Sequence, residues 1–151
     1  MPPETSWLRY VEDKYGVRVR SETRPVDVAN LFATQAEIEL VKYKLVREEG
    51  FRVDEPVVAF RGERGRMYLI DGHTRARVVF DRGRPSLSAV VLTCDDLRVA
   101  EEVHRMAELA GGGQVKQVRE IPVVDRLGEG SEAWRRRRKE LLDKWRRSRE
   151  G

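Results

Sequence analysis

Five consecutive residues of this chain could bind an anion: Asp71, Gly72, His73, Thr74 and Arg75. They follow a short apolar run and precede a helix-like pattern, which predicts a strand-to-helix turn. The first amides of a helix lack intrahelical partners, and the helix dipole makes that end about half a unit charge positive. Gly72 lets the backbone approach an anion closely, and the next three side chains can donate hydrogen bonds. The segment therefore predicts a phosphate or nucleotide site.

A simpler alternative is a tight turn in which Asp71 and Thr74 only cap the following helix. The context favours the phosphate site, because the segment joins a predicted hairpin to a helix, and a further apolar strand follows that helix. The combination of His73 and Arg75 points the same way, since an ordinary cap requires neither side chain.

The elements that must position this turn follow from hydrophobic periodicity and from glycine or proline punctuation. Apolar runs predict a strand running into a turn over residues 26–32, and strands over residues 56–60, 67–70, 87–92 and 115–124. Helical spacing with capping residues predicts helices over residues 6–15, 34–50, 71–82, 95–110 and 131–149. The result is a small mixed α/β domain of the α+β class, with a mixed sheet flanked by helices. We assign residues 1–130 to this domain and residues 131–151 to a basic amphipathic C-terminal helix.

Composition excludes several classes of protein. The chain has 151 residues, of which 40% are hydrophobic and 37% charged, so it can bury a core within one domain. Because 30 basic residues face 26 acidic ones, the net charge is only +4, and this dense mixed charge is typical of ion-pair networks in thermophiles. Cys94 is the single cysteine, which excludes an intrachain disulfide and a cysteine-rich zinc site. The sequence shows no signal peptide and no apolar run of ~20 residues, so we expect a cytoplasmic protein without membrane contact.

The turn and its surroundings resemble a known superfamily. Residues 69–78, Leu-Ile-Asp-Gly-His-Thr-Arg-Ala-Arg-Val, with Gly83 downstream, look like the signature turn of the ParB and sulfiredoxin superfamily. Residues 32–35 and 56–60 resemble the elements that precede this turn in the same family, so the resemblance covers about residues 26–92. It implies a small α/β fold in which the turn binds nucleotide phosphates.

Members of this superfamily differ at the turn. Sulfiredoxins carry a catalytic cysteine where this chain has His73, and partition proteins have a Gly-Glu-Arg-Arg type of turn. The form found here is most similar to the archaeal free-serine kinases, which use a glutamate at the entrance to the first family helix as a base. The matching residue here is Gln35, which cannot accept a proton. The resemblance leaves Glu37 or Glu39 for that role, although Glu37 is equally well explained as the capping-box partner of Thr34.

If the chain is a phosphotransferase, the resemblance implies ATP or ADP as cofactor, with CTP possible, together with Mg²⁺. Asp71 would orient the turn or coordinate the magnesium ion. The candidate nucleotide-binding residues are Gln35, Gly72, His73, Thr74 and Arg75, and the candidate catalytic residues are Glu37, Glu39, Asp71 and His73.

The basic C-terminal helix has two interpretations. Residues 135–149 include nine lysines and arginines, which could contact DNA or RNA phosphates. Alternatively, Trp134, Leu141 and Trp145 recur at helical spacing and pack on the core, while the basic side chains are solvated or paired. A helix with two tryptophans is also typical of a homodimer contact.

Three functions fit the sequence. The leading hypothesis is a nucleotide-binding phosphotransferase or NTPase of the ParB and sulfiredoxin type, acting on a small hydroxyl metabolite such as free serine. The alternative is a ParB-like DNA-binding module, partition-like or nuclease-like, that uses the same turn for nucleotide or backbone phosphate. A third hypothesis is a member that binds a nucleotide without turnover, which Gln35 would suit.

Overall fold

The computed structural model describes residues 3–150, with side chains for residues 6–149. The described chain has α-helices and β-strands together, which confirms the predicted α+β class. The helices are α1 Pro3–Tyr15, α2 Leu40–Glu49, α3 His73–Asp81, α4 Leu97–Ala110 and α5 Glu132–Glu150. The strands are β1 Arg20–Asp27, β2 Ile38–Glu39, β3 Val57–Arg61, β4 Met67–Asp71, β5 Ser86–Thr93 and β6 Val123–Val124.

The main sheet has four strands in the order β1-β5-β3-β4. β3 and β4 form the predicted antiparallel hairpin, β5 runs parallel to β3, and β1 pairs antiparallel with β5. β5 is therefore an inner strand, as predicted, and this explains its apolar run. The chain passes from β4 to the far side of β3 through α3.

Alternation along the strands divides the core into two parts. Val57 and Ala59 of β3 face one cluster, which is covered by α2, α3 and α5. Val58 and Phe60 face the other cluster, which is covered by α1 and α4. All four side chains are at most 2% exposed, and burial of each large apolar side chain stabilises the fold by about 1.5–3 kcal/mol.

The predicted capping box at residues 34–37 is wrong. The Thr34 hydroxyl donates to the carbonyl oxygen of Leu69 at 2.6 Å, so it is tied to β4 and not to a helix end. The helix begins later, at Leu40, because Ile38 and Glu39 first pair in parallel with residues 123–124. Its predicted end is confirmed, since Gly50 adopts the left-handed conformation with φ 70°.

One predicted strand is confirmed as running into a turn, and another is wrong for most of its length. In the segment 26–32, residues 26–27 end β1 and a 3₁₀ turn at Val28–Asn30 follows them. The predicted strand over 115–124 is a 3₁₀ turn at Val118–Glu120 followed by the short β6. In this second segment apolar residues reach the core from a turn, so hydrophobicity alone misidentifies it as a strand.

The C-terminal helix packs on the same core as the sheet. Ser131 caps it by accepting from the Trp134 amide at 3.1 Å, as predicted. Trp134 and Leu141 are each 7% exposed, and the Trp145 ring lies 5.2 Å from that of Phe51. The predicted packing role of these residues is confirmed. Within residues 3–150, no helix combines the length and apolar character needed to cross a membrane.

Candidate functional site

The predicted strand-to-helix turn is present and tightly built. β4 ends at Asp71, Gly72 adopts φ 100°, and α3 begins at His73. A Cβ on Gly72 would lie 2.5 Å from Cγ1 of Val57, so only glycine fits between β4 and α3. No side chain of the described residues accepts from the first amides of this helix, although residues 73–75 are at most 9% exposed.

His73 supports the turn from inside. Its side chain is buried, and its Nε2 accepts a hydrogen bond from the Thr34 amide at 3.0 Å. Burial, with a smaller contribution from the charge of Lys42, lowers the pKa of His73 to about 4. The ring is therefore neutral near pH 7 and joins the 31–34 segment to α3. Nε2 therefore cannot donate to a phosphate, and the phosphate contact predicted from His73 stays a prediction.

Arg75 also points into the protein. Its guanidinium donates to the carbonyl oxygens of Glu55 at 2.6 Å and Pro56 at 3.3 Å. It forms an ion pair with Asp71 at 3.2 Å, and burial lowers the pKa of the guanidinium. Arg75 therefore fixes the loop before β3 and the carboxylate of Asp71, and both of its terminal nitrogens donate in these contacts. The predicted donation from this side chain to phosphate stays a prediction.

The candidate carboxylates are both held by arginines from the C-terminal part of the chain. Glu37 accepts from Arg126 at 2.7 and 3.0 Å, and Glu39 accepts from Arg137 at 2.7 and 3.1 Å. Gln35 is exposed and donates to the carbonyl oxygen of Glu37 at 2.5 Å. Bidentate pairing fixes the orientation of a carboxylate, so Glu37 and Glu39 each have a defined direction.

Lys42 is a residue of the site that the sequence analysis missed. It lies in the first turn of α2, is half-buried, and forms no hydrogen bond or ion pair with any residue that the structure describes. Burial lowers the pKa of its ammonium, while the nearby carboxylates of Glu39 and Asp71 raise it and Arg137 lowers it further. Its spacing of three residues from Glu39, which would place both on one face of the predicted helix 34–50, is the signal that could have found it.

Thr74 completes the set of available donors. Its side chain is 9% exposed, and its hydroxyl has no hydrogen-bond partner among residues 6–149. The turn thus offers uncapped amides, this hydroxyl and the Lys42 ammonium on the cationic side, with Asp71 and Glu39 as carboxylates. The donors suit the oxygens of a phosphate, and the two carboxylates favour a phosphate whose negative charge is partly neutralised.

A magnesium ion could take only a few protein ligands here. Among the described residues no group of three or more His, Cys, Asp or Glu side chains could hold a metal ion. Mg²⁺ at nucleotide sites is usually held by one or two carboxylates together with phosphates and water. Asp71, with one oxygen on Arg75 and the other without a hydrogen bond in the described chain, fits that role.

His73 is expected to make stability dependent on pH. Because its folded-state pKa of about 4 lies below the ordinary 6.5, the unfolded chain binds a proton first as the pH falls. Stability is therefore lost between about pH 6.5 and 4, and the difference in pKa corresponds to about 3 kcal/mol. Urea unfolding of wild type and His73→Gln across this range measures it.

The matched control for this effect is His104→Gln, which removes the chain's other histidine and keeps His73. Acidic groups titrate in all three proteins, so the difference between wild type and His73→Gln is the relevant quantity. We expect the free energies of unfolding of wild type and His73→Gln to converge toward pH 4. The free energy of unfolding of His104→Gln should follow that of wild type. Parallel curves for wild type and His73→Gln would contradict the neutral, buried imidazole.

Comparisons with known proteins add little to this geometry. No family model matches the chain, and no curated protein matches it. A solved structure similar to part of it is protein Atu1540 from Agrobacterium tumefaciens, with 20% sequence identity and a TM-score of 0.45. The match covers 56% of this chain, and the chain spans about half of that protein, 48% of its length. A likeness at this level bears on neither fold family nor function.

Proposed function

We propose that this protein is a nucleotide-binding phosphotransferase or NTPase of the ParB and sulfiredoxin type, in which the 71–75 turn holds the nucleotide phosphates. The observation that carries the proposal is the start of α3 beside the half-buried Lys42, neither of which has a side-chain partner among the described residues. A helix N-terminus attracts anions, and a desolvated ammonium without a partner gains most from a phosphate. The resemblance of residues 69–78 to the family's signature turn supports the same function.

The groups that we propose as ligand contacts differ from those predicted from the sequence. Amides at the start of α3, the Thr74 hydroxyl and Lys42 would bind phosphate oxygens, while His73 and Arg75 hold the turn in shape. Magnesium, when bound, would neutralise further phosphate charge with Asp71 as a protein ligand. ATP or ADP is the proposed nucleotide, and CTP is the other candidate.

Phosphoryl transfer to a small hydroxyl metabolite, such as free serine, requires a base. Glu39 is the better candidate, because it lies near Lys42 and is oriented by Arg137, whereas Glu37 pairs with an exposed arginine. Glu39 would accept the hydroxyl proton, and the hydroxyl oxygen would bond to the terminal phosphorus. The bond from that phosphorus to the departing nucleotide would break in the same step.

The alternative, a ParB-like DNA-binding module, has less support from α5. Arg137 and Arg138 pair with Glu39 and Glu49 of the neighbouring α2 region. Further basic residues of α5 pair within the helix, as Lys139 does with Asp143 at 3.2 Å. These carboxylates reduce the charge available to a polynucleotide.

Replacing Lys42 with methionine tests the proposed function. Loss of a charged hydrogen bond to phosphate, worth about 1.5–3 kcal/mol, is expected to weaken nucleotide binding by roughly 10- to 100-fold. Stability should stay equal or rise, because the folded state no longer buries an unpaired ammonium. Thermal-shift titrations with ATP, ADP, CTP and GTP, with and without Mg²⁺, provide the measurement.

The matched control is Lys144→Met in α5, since Lys144 is exposed and also forms no ion pair with any described residue. It should keep wild-type affinity. Equal affinity of Lys42→Met and Lys144→Met for the best nucleotide would argue against the site, as would a wild-type protein that no nucleotide stabilises at millimolar concentration.

A further inference from the structure

The tip of the β3–β4 hairpin carries three exposed arginines. Arg61, Arg64 and Arg66 are exposed, and their side chains form no hydrogen bond or ion pair with any residue in the described part of the chain. The tip lies at the opposite end of β4 from Asp71, roughly 13 Å away at about 3.3 Å per residue. It is therefore separate from the 71–75 turn.

These arginines line an open groove of about 730 Å³ on the sheet side of the hairpin. Arg24 contributes a fourth guanidinium from β1, and Phe32 and Met67 supply apolar surface. The side-chain amides of Asn30 and Gln117 lie on the same groove. Positive charge, apolar surface and amide groups thus occur together in one concave surface.

The acidic residues of this groove do not neutralise the hairpin. Asp27 accepts from the Ala29 amide at 3.1 Å and from the Asn30 side chain at 2.5 Å, so it caps the turn after β1. Glu22 lies 4.0 Å from Arg24. The groove keeps a net positive charge, because four arginines face two carboxylates and both carboxylates already have partners.

Arg64 occupies a position that favours glycine. Its φ is 60°, in the left-handed region, and such a conformation costs a non-glycine residue about 1–2 kcal/mol. Arg64 also borders a second cavity of about 340 Å³, whose charges are mixed: Arg66, Arg105 and His104 line it together with Glu63, Glu101 and Glu108. Arginine at a strained tip between two cavities indicates a role outside the fold itself.

We propose that the hairpin groove binds a single-stranded nucleic acid. Arg61, Arg64 and Arg66 contact the phosphates, and the apolar surface at Phe32 and Met67 receives a base. Proteins that bind single strands combine these two features, a basic groove and apolar or aromatic contacts for the bases. This inference is independent of the proposed nucleotide site.

The test uses the full chain and fluorescence anisotropy with labelled single-stranded DNA and RNA of roughly 12 nucleotides. R61Q/R64Q/R66Q is compared with R9Q/R84Q/R147Q, which removes three exposed arginines that also form no ion pair among the described residues. We expect the hairpin variant to bind at least 10-fold more weakly and to lower the salt slope by about 2, since each lost contact contributes about 0.7. The control should stay within about twofold of wild type.

The measurements with single-stranded DNA and RNA identify which backbone is preferred. Tighter binding of either one supports the proposed role of the groove. Equal losses in the two triple variants would overturn the proposal, because only total charge would matter. The proposal would also be overturned if duplex DNA or polyglutamate bound as tightly as the single strand, or if neither single-stranded DNA nor RNA bound. R61Q/R66Q retains Arg64 and should weaken binding in the same direction if the triple variant is unstable. Nucleotide-induced stabilisation should persist in every hairpin variant.

Discussion

Replacing Gly72 with alanine is expected to lower the free energy of unfolding by roughly 2–5 kcal/mol. Two physical effects add at this position. The φ of 100° is unfavourable for any residue with a Cβ, and that Cβ would lie 2.5 Å from Cγ1 and 2.9 Å from Cβ of Val57. Val57 is buried in the centre of the sheet, so it cannot move aside without disturbing the core.

The control for Gly72→Ala is Gly83→Ala. Gly83 also has positive φ, 75°, but nothing lies within 4 Å of its added Cβ. It therefore isolates the backbone cost of about 1–2 kcal/mol. Urea unfolding of both variants gives the comparison. Equal losses would show that contact with Val57 contributes nothing, which would contradict the tight packing of β4 against α3.

Replacing Arg75 with methionine is expected to cost roughly 2–4 kcal/mol of stability. The change removes the donor for the carbonyl oxygens of Glu55 and Pro56 and leaves Asp71 without its partner. Methionine keeps the apolar stem, so the loss reports on the guanidinium. Because Asp71 is about one-third exposed, water replaces part of its ion pair, and the carbonyl bonds account for most of the effect.

Arg82→Met is the matched control for Arg75→Met. Arg82 also donates to a backbone carbonyl, that of Arg47 at 2.5 Å, but this bond is exposed to solvent. The control is expected to cost less than about 1 kcal/mol, since water satisfies the freed carbonyl. Chemical denaturation measures both. An Arg75→Met variant as stable as Arg82→Met would contradict the internal role of Arg75.

Much of the fold follows from local pattern. The β3–β4 hairpin, inner strand β5 and the helices around 71–82 and 95–110 have clear periodicity, and the structure contains them. Residues 34–37 mislead because Thr34 and Glu37 match a capping box, yet Thr34 donates to Leu69 and Glu37 pairs with Arg126. Those partners are distant in sequence, so no local pattern contains them.

The features of the candidate site also divide into those that follow from local sequence and those that depend on distant contacts. The turn at Gly72 is local and was predictable, whereas the directions of His73 and Arg75 depend on the Thr34 amide and on the carbonyls before β3. The environment of Lys42 depends on how α2 packs against α3 and α5. Sequence therefore identifies the turn, and only the three-dimensional packing shows which groups remain available to a ligand.

The central claim is that the start of α3 binds nucleotide phosphates, and amide chemical shifts measure this directly. In ¹⁵N-labelled protein titrated with ATP and Mg²⁺, we predict saturable shifts of the amides of residues 73–75, with adenosine producing much smaller ones. The same titration of Lys42→Met should need roughly 10- to 100-fold more nucleotide. Unchanged amides at 73–75 at millimolar ATP, or shifts confined to the β3–β4 hairpin, would contradict the claim.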